Sequence, residues 1–105
     1  RVDAVTALVQ AQLAQERWRS SSPRYATAQE LRLATRSPLG HYNLAIGEPD
    51  GQGVTLTATA RGMQAADRDC RVIQLQVSNG VVVHRSGRDT RTDNDELANR
   101  RCWNL

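Results

Sequence analysis

An α+β fold is predicted, with one long N-terminal helix packed on a four-stranded antiparallel sheet and followed by a disulfide-closed C-terminal loop. Three observations predict it. Residues 2–20 carry a helical period without a breaker, the period changes to two from Gly40 onward, and the two cysteines, Cys70 and Cys102, bracket the last third of the chain. A chain of 105 residues has room for one core. With no phenylalanine, that core must be built from Val, Leu, Ile and Ala, and a covalent staple would help it.

The helix is read from "VDAVTALVQAQLAQERWRSS". At 100° per residue, Val2, Val5, Leu8, Val9 and Leu13 share one arc. Ala4, Ala7, Ala11, Ala14 and Trp18 form a second arc of mostly small residues nearly opposite. The bulky arc, chiefly Val5, Leu8, Val9 and Leu13, is expected to face the sheet. The alanine arc would permit close approach of neighbouring helices, or reflect helix propensity alone. "SSSPRYA" ends the helix, since Pro23 disfavours helical geometry in the residue before it. "TAQELRL" has the composition for one further turn within the loop that runs to Pro38.

Strands follow. In "HYNLAI", Tyr42, Leu44 and Ile46 alternate with His41, Asn43 and Ala45; in "VTLTATA", Val54, Leu56, Ala58 and Ala60 alternate with threonines. "EPDGQG" between them is a turn. "CRVIQLQV" places Ile73, Leu75 and Val77 on one side and Val72 and Gln74 on the other, and Asn79-Gly80 before "VVVHRS" is a strong hairpin signal. The last stretch, "GRDTRTDNDELANRRCWNL", has no periodicity and reads as a polar loop. The chain thus divides into 1–21 (helix), 22–39 (connecting loop), 40–85 (sheet) and 86–105 (C-terminal loop).

A polar tail cannot hold itself to the body by apolar burial. A Cys70–Cys102 bond would close it into a loop of about 33 residues, worth roughly 3.5–4 kcal/mol in the chain-entropy account, and would bring Trp103 against the sheet as a clasp. The same bond implies an oxidising compartment.

Chemistry is sparse. His41 and His84 are the only histidines, each in a strand pattern, and no nucleophile–base motif, phosphate loop or Cys/His metal spacing occurs, so no enzyme and no resident cofactor are expected. "DTRTDNDE" gathers Asp89, Asp93, Asp95 and Glu96, oxygen donors suited to calcium, but without the glycine and spacing of an EF-hand. The net charge is +3, and all fourteen basic residues are arginine. That bias fits phosphate recognition but also a GC-rich coding sequence. With the disulfide formed, Arg68, Arg71, Arg100 and Arg101 become neighbours and make a candidate DNA-binding patch. Against it stand the interleaved Asp67, Asp69, Asp89, Asp93, Asp95 and Glu96.

The ordered set of motifs resembles the globular part of a type IV pilin, over nearly the whole chain. "AVTALVQAQLAQERWRSSSPRYA" is similar to the helix end and loop opening of PilE-like minor pilins, and "SPLGHYNLAI" to their first strand. "GVTLTATARGMQAADRDCRVIQLQVSNGVV" is similar to their second and third strands, with the first cysteine opening the third, and "RRCWNL" to the end of their disulfide-bounded loop. The resemblance makes 22–39 the αβ-loop and implies a structural minor subunit acting in pilus assembly, adhesion or motility. It also implies roughly 25–30 further residues before Arg1, an apolar half-helix with a methylated N-terminus. The implied partners are other pilin subunits and inner-membrane assembly machinery. The implied location is the pilus, or the inner membrane facing the periplasm of a Gram-negative bacterium. Two relatives of this fold are alternatives: a DNA-uptake minor pilin that binds duplex through arginines, and a type II secretion pseudopilin, which a calcium ion would favour.

Overall fold

A computed structural model describes all residues, 1–105. Helix α1 spans Val2–Arg19, a single turn α2 spans Ala28–Leu31, and strands β1 (Tyr42–Gly47), β2 (Gly53–Ala60), β3 (Val72–Ser78) and β4 (Val81–Gly87) follow. The strands form one antiparallel sheet in the order β1-β2-β3-β4. Two 3-10 turns, Gly62–Ala66 and Arg68–Cys70, fill the β2–β3 connection, and a short helix α3 (Glu96–Trp103) closes the chain. No helix is long and apolar enough to cross a membrane.

The alternation read in the strands sets the register. Leu56 lies opposite Leu75 and Ile46, and Ala58 opposite Ile73 and Leu44, so one face of the sheet carries the bulky side chains. The hairpin turn is Asn79-Gly80, both with positive φ (52° and 81°), as a two-residue turn between twisted strands requires.

The helix docks the other way round from the expectation. Its buried residues are Asp3, Ala4, Ala7, Leu8, Ala11 and Gln15, whereas Val2, Val9 and Leu13 are 65%, 41% and 49% exposed. Of the predicted face only Leu8 is fully buried, and Val5 packs at the margin. The reason is volume. The sheet already presents Tyr42, Leu56, Ile73 and Leu75, each essentially inaccessible, and interiors pack to crystal-like density. Large residues on one layer call for small ones on the other, so the alanine arc meets the sheet.

The buried polar residues of α1 then hold the αβ-loop. The Gln15 amide donates to the Ala26 carbonyl and accepts from the Ala26 N–H, both at 2.8 Å. The Asp3 carboxylate accepts from Ser37 Oγ and from the N–H groups of Leu39 and His41. Thr27 and Glu30 form a reciprocal capping box at α2.

The tail also differs from the expected loop. Asp95 caps α3 by accepting from the Ala98 N–H, and Asn104 ends it in the left-handed region. This segment covers the C-terminal half of the β4 edge. Asn99 Nδ2 donates to the His84 carbonyl at 2.7 Å, and the Asn94 N–H donates to that of Ser86 at 3.1 Å. The β1 edge is covered in the same manner, by Leu44 N–H to the Thr35 carbonyl at 2.8 Å and Ser37 N–H to that of Tyr42. Exposed strand edges invite pairing with other chains, and both are blunted here.

Candidate nucleic-acid interface

The disulfide is formed between Cys70 and Cys102, with Cα atoms 5.4 Å apart and both residues buried. It ties the 3-10 turn Arg68–Cys70 to the last turn of α3. Trp103 is the expected clasp. It is buried, its Nε1 donates to the Arg85 carbonyl at 2.9 Å, and the His84 ring stands edge-on to it at 4.5 Å. His84 is therefore a packing residue.

Arg68 and Arg71 flank Cys70 in the chain, and Arg100 and Arg101 directly precede Cys102. Arg68 is exposed on the 3-10 turn, and Arg71 follows it with Nε donating to the Ala65 carbonyl at 2.7 Å. Arg100 and Arg101 are exposed on the last turn of α3, where a cation also complements the helix dipole. They diverge by about 100° around the helix. Arg101 shares a concavity of about 210 Å³ with the disulfide, Asp69 and Arg1, while Arg100 is not among its lining residues. Of the four, only Arg101 lines this concavity; Arg68 and Arg71 flank Cys70 in the chain, and Arg71 is turned to the Ala65 carbonyl.

The interleaved carboxylates are the decisive detail. Asp67 accepts two hydrogen bonds from Arg1, at 2.8 and 2.9 Å, and Asp69 pairs with Arg88 at 3.1 Å. The Arg1 hydrogen bonds, acting against burial, hold the Asp67 carboxyl below its usual range. The remaining ion pairs are Arg24–Glu30 and Arg91–Asp89. Arg68, Arg71, Arg100 and Arg101 therefore have no carboxylate partner. Of the six acids that stood against the patch, Asp67, Asp69 and Asp89 are paired with Arg1, Arg88 and Arg91, and Asp93, Asp95 and Glu96 have no arginine partner. Arg1 was missed in the sequence, and no local signal could have found it, because its partner lies 66 residues away.

The acidic run is dispersed by the fold. Asp89 pairs with Arg91, Asp95 is spent on the α3 cap, Glu96 starts the helix, and Asp93 sits at the bridge to Ser86. No group of three His, Cys, Asp or Glu side chains comes together in a way that could hold a metal ion.

The family model described as "Type IV minor pilin ComP, DNA uptake sequence receptor" matches residues 1–74. The chain belongs to this type IV minor pilin family. It is a structural minor subunit of a type IV pilus, and the pilin fold expected from the motifs is the one observed. The family is structural and not enzymatic, associates with other pilins, and is pilus- and membrane-associated. A search of curated proteins gives no match to this pilin. The matched span ends in β3, so α3 and its arginines lie outside it.

Proposed function

We propose that this minor pilin carries duplex DNA on the arginine surface beside its disulfide, as a DNA-uptake subunit of the pilus. The observation that carries the reading is the sorting of charges: Asp67 and Asp69 are paired with Arg1 and Arg88, leaving Arg68, Arg71, Arg100 and Arg101 without carboxylate partners. Unpaired guanidiniums suit phosphate oxygens, which they can grip with two parallel hydrogen bonds. The name of the matching family supports the same ligand.

Subunit contacts fall on a different surface. The stripe of Val2, Val9 and Leu13, turned away from the sheet, supports packing against neighbouring pilins. Before assembly the protein is held in the inner membrane of a Gram-negative cell, facing the periplasm, and the assembly machinery moves it from there into the extracellular filament. This path agrees with the oxidised cysteines. No catalytic step belongs to this function.

The test is fluorescence polarisation of a labelled duplex titrated with the protein over a range of salt. Three or four phosphate contacts predict a log–log slope of roughly −3 to −4. Arg100→Glu with Arg101→Glu should abolish binding, and Arg24→Glu should leave it nearly intact, since Arg24 is already paired with Glu30. Absence of binding at low salt, or equal loss from Arg24→Glu, contradicts the reading.

A further inference from the structure

The face of the sheet turned away from α1 is a second surface, with different chemistry. Its floor is built from the cross-strand pairs Thr55–Gln76 and Thr57–Gln74. The side chains are ordered in a chain: Gln76 Nε2 donates to Gln74 Oε1 at 3.0 Å, and Gln74 Nε2 donates to Thr57 Oγ1 at 3.2 Å. The segment after β4 rises beside this floor. Thr92, buried and in the left-handed region (φ 48°), accepts from Arg85 Nε at 3.2 Å, which fixes that guanidinium on the wall. The resulting open groove has a volume of about 790 Å³; Glu48 and Arg91, the latter paired with Asp89, stand at it beside Arg85, and no apolar side chain lines it.

We propose that this groove binds an acidic polysaccharide of the uronate class. Each sugar hydroxyl is at once donor and acceptor, and needs neighbours of both kinds. The floor supplies them: Thr57 Oγ1 accepts within the chain and keeps its O–H to donate, while Gln76 Oε1 remains free to accept. Arg85, with its Nε held by Thr92, keeps its terminal N–H groups for a sugar carboxylate. The alternatives fit less well. An apolar ligand would gain nothing from a floor without apolar surface. Single-stranded nucleic acid would find no aromatic ring to stack on. A peptide adding a strand would pair along an outer edge and not on this face, and Thr35, Ser37, Asn94 and Asn99 already bond those edges at Leu44, Tyr42, Ser86 and His84.

The experiment is a titration of the isotopically labelled protein with tetragalacturonate, and with uncharged maltotetraose as comparator, followed by amide shifts and calorimetry. Shifts should concentrate at Thr57, Gln74 and Gln76, with the uronate bound at least about tenfold more tightly than the neutral sugar. Arg85→Gln should weaken uronate binding by about tenfold or more. The pair Thr57→Val with Gln74→Ala should do the same and leaves the Arg85–Thr92 contact in place, so it serves if Arg85→Gln impairs folding. Arg100→Glu with Arg101→Glu should leave sugar binding unchanged. No shift at about 10 mM uronate, equal affinity for both sugars, or loss through Arg100 and Arg101 in place of Arg85 would each overturn the proposal.

Discussion

Gln15 and Asp3 show how single buried polar residues decide where a loop lies. Gln15 satisfies both the donor and the acceptor of Ala26, a role that an adjacent strand would otherwise fill. Gln15→Ala would leave two buried backbone groups unpaired and should cost about 1–3 kcal/mol, read from the midpoint of denaturant unfolding. Burial opposes ionisation of Asp3, but the hydrogen bonds from Ser37, Leu39 and His41 outweigh it and hold the carboxyl below its usual range. The sign follows: a depressed carboxyl contributes stability above its unfolded pKa and loses it as pH falls through the folded value. Unfolding measured from neutral pH down through the carboxylate range should show an acid loss that is smaller in Asp3→Asn. Identical pH dependence in the two proteins would contradict this role of the Asp3 carboxylate. The helix face is tested at the same scale. Leu8, 2% exposed, should cost about 2–5 kcal/mol when changed to Ala, and Leu13→Ala well under about 1 kcal/mol. Equal costs would restore the bulky arc as the docking face.

Helix α3 is the element on which the arginine surface depends. Its eight residues are too few to be stable alone, as isolated helices shorter than about 12 residues are marginal in water. What holds it is the bond to Cys70, the Asn99 contact with the β4 edge and the burial of Trp103. Reduction should therefore release α3 first, with a red shift of tryptophan emission, at a cost of roughly 3.5–4 kcal/mol in the closure account. Hydrogen exchange should then accelerate in residues 96–103 before it does in β2 and β3. Uniform acceleration across the chain would mean that the tail and sheet form one cooperative unit. The helix escaped the period-based reading because it is short and polar. Its one local signal was "DNDELA", an Asp followed by Glu at the start of a turn, which is N-cap chemistry. The strands and the Asn79-Gly80 turn were legible because alternation and turn chemistry are local properties. The docking face of α1 was not, since two apolar arcs compete in one helix and the sheet's side-chain sizes choose between them.

In the molecule as a whole, α1 separates two duties. Its alanine face closes the core, and its Val2–Val9–Leu13 stripe stays exposed, where the proposed function puts other subunits. At the far end the disulfide joins the β2–β3 connection to α3 and brings basic residues from both into one region. The disulfide beside the candidate site was legible, because a chain with two cysteines offers a single pairing. Its charge balance was not, because Arg1–Asp67 and Arg88–Asp69 are contacts that only the assembled fold makes. On the proposed function, the bond creates the DNA surface and does more than stabilise the domain. The direct measurement compares duplex binding by the oxidised protein and by Cys70→Ser with Cys102→Ser, at low salt and at a temperature where both keep their sheet. Net charge is the same in the two. Binding by the oxidised protein that falls at least about tenfold in the variant, with a shallower salt slope, is the result expected. Equal affinity and equal slope would show a basic protein attracting DNA without a site.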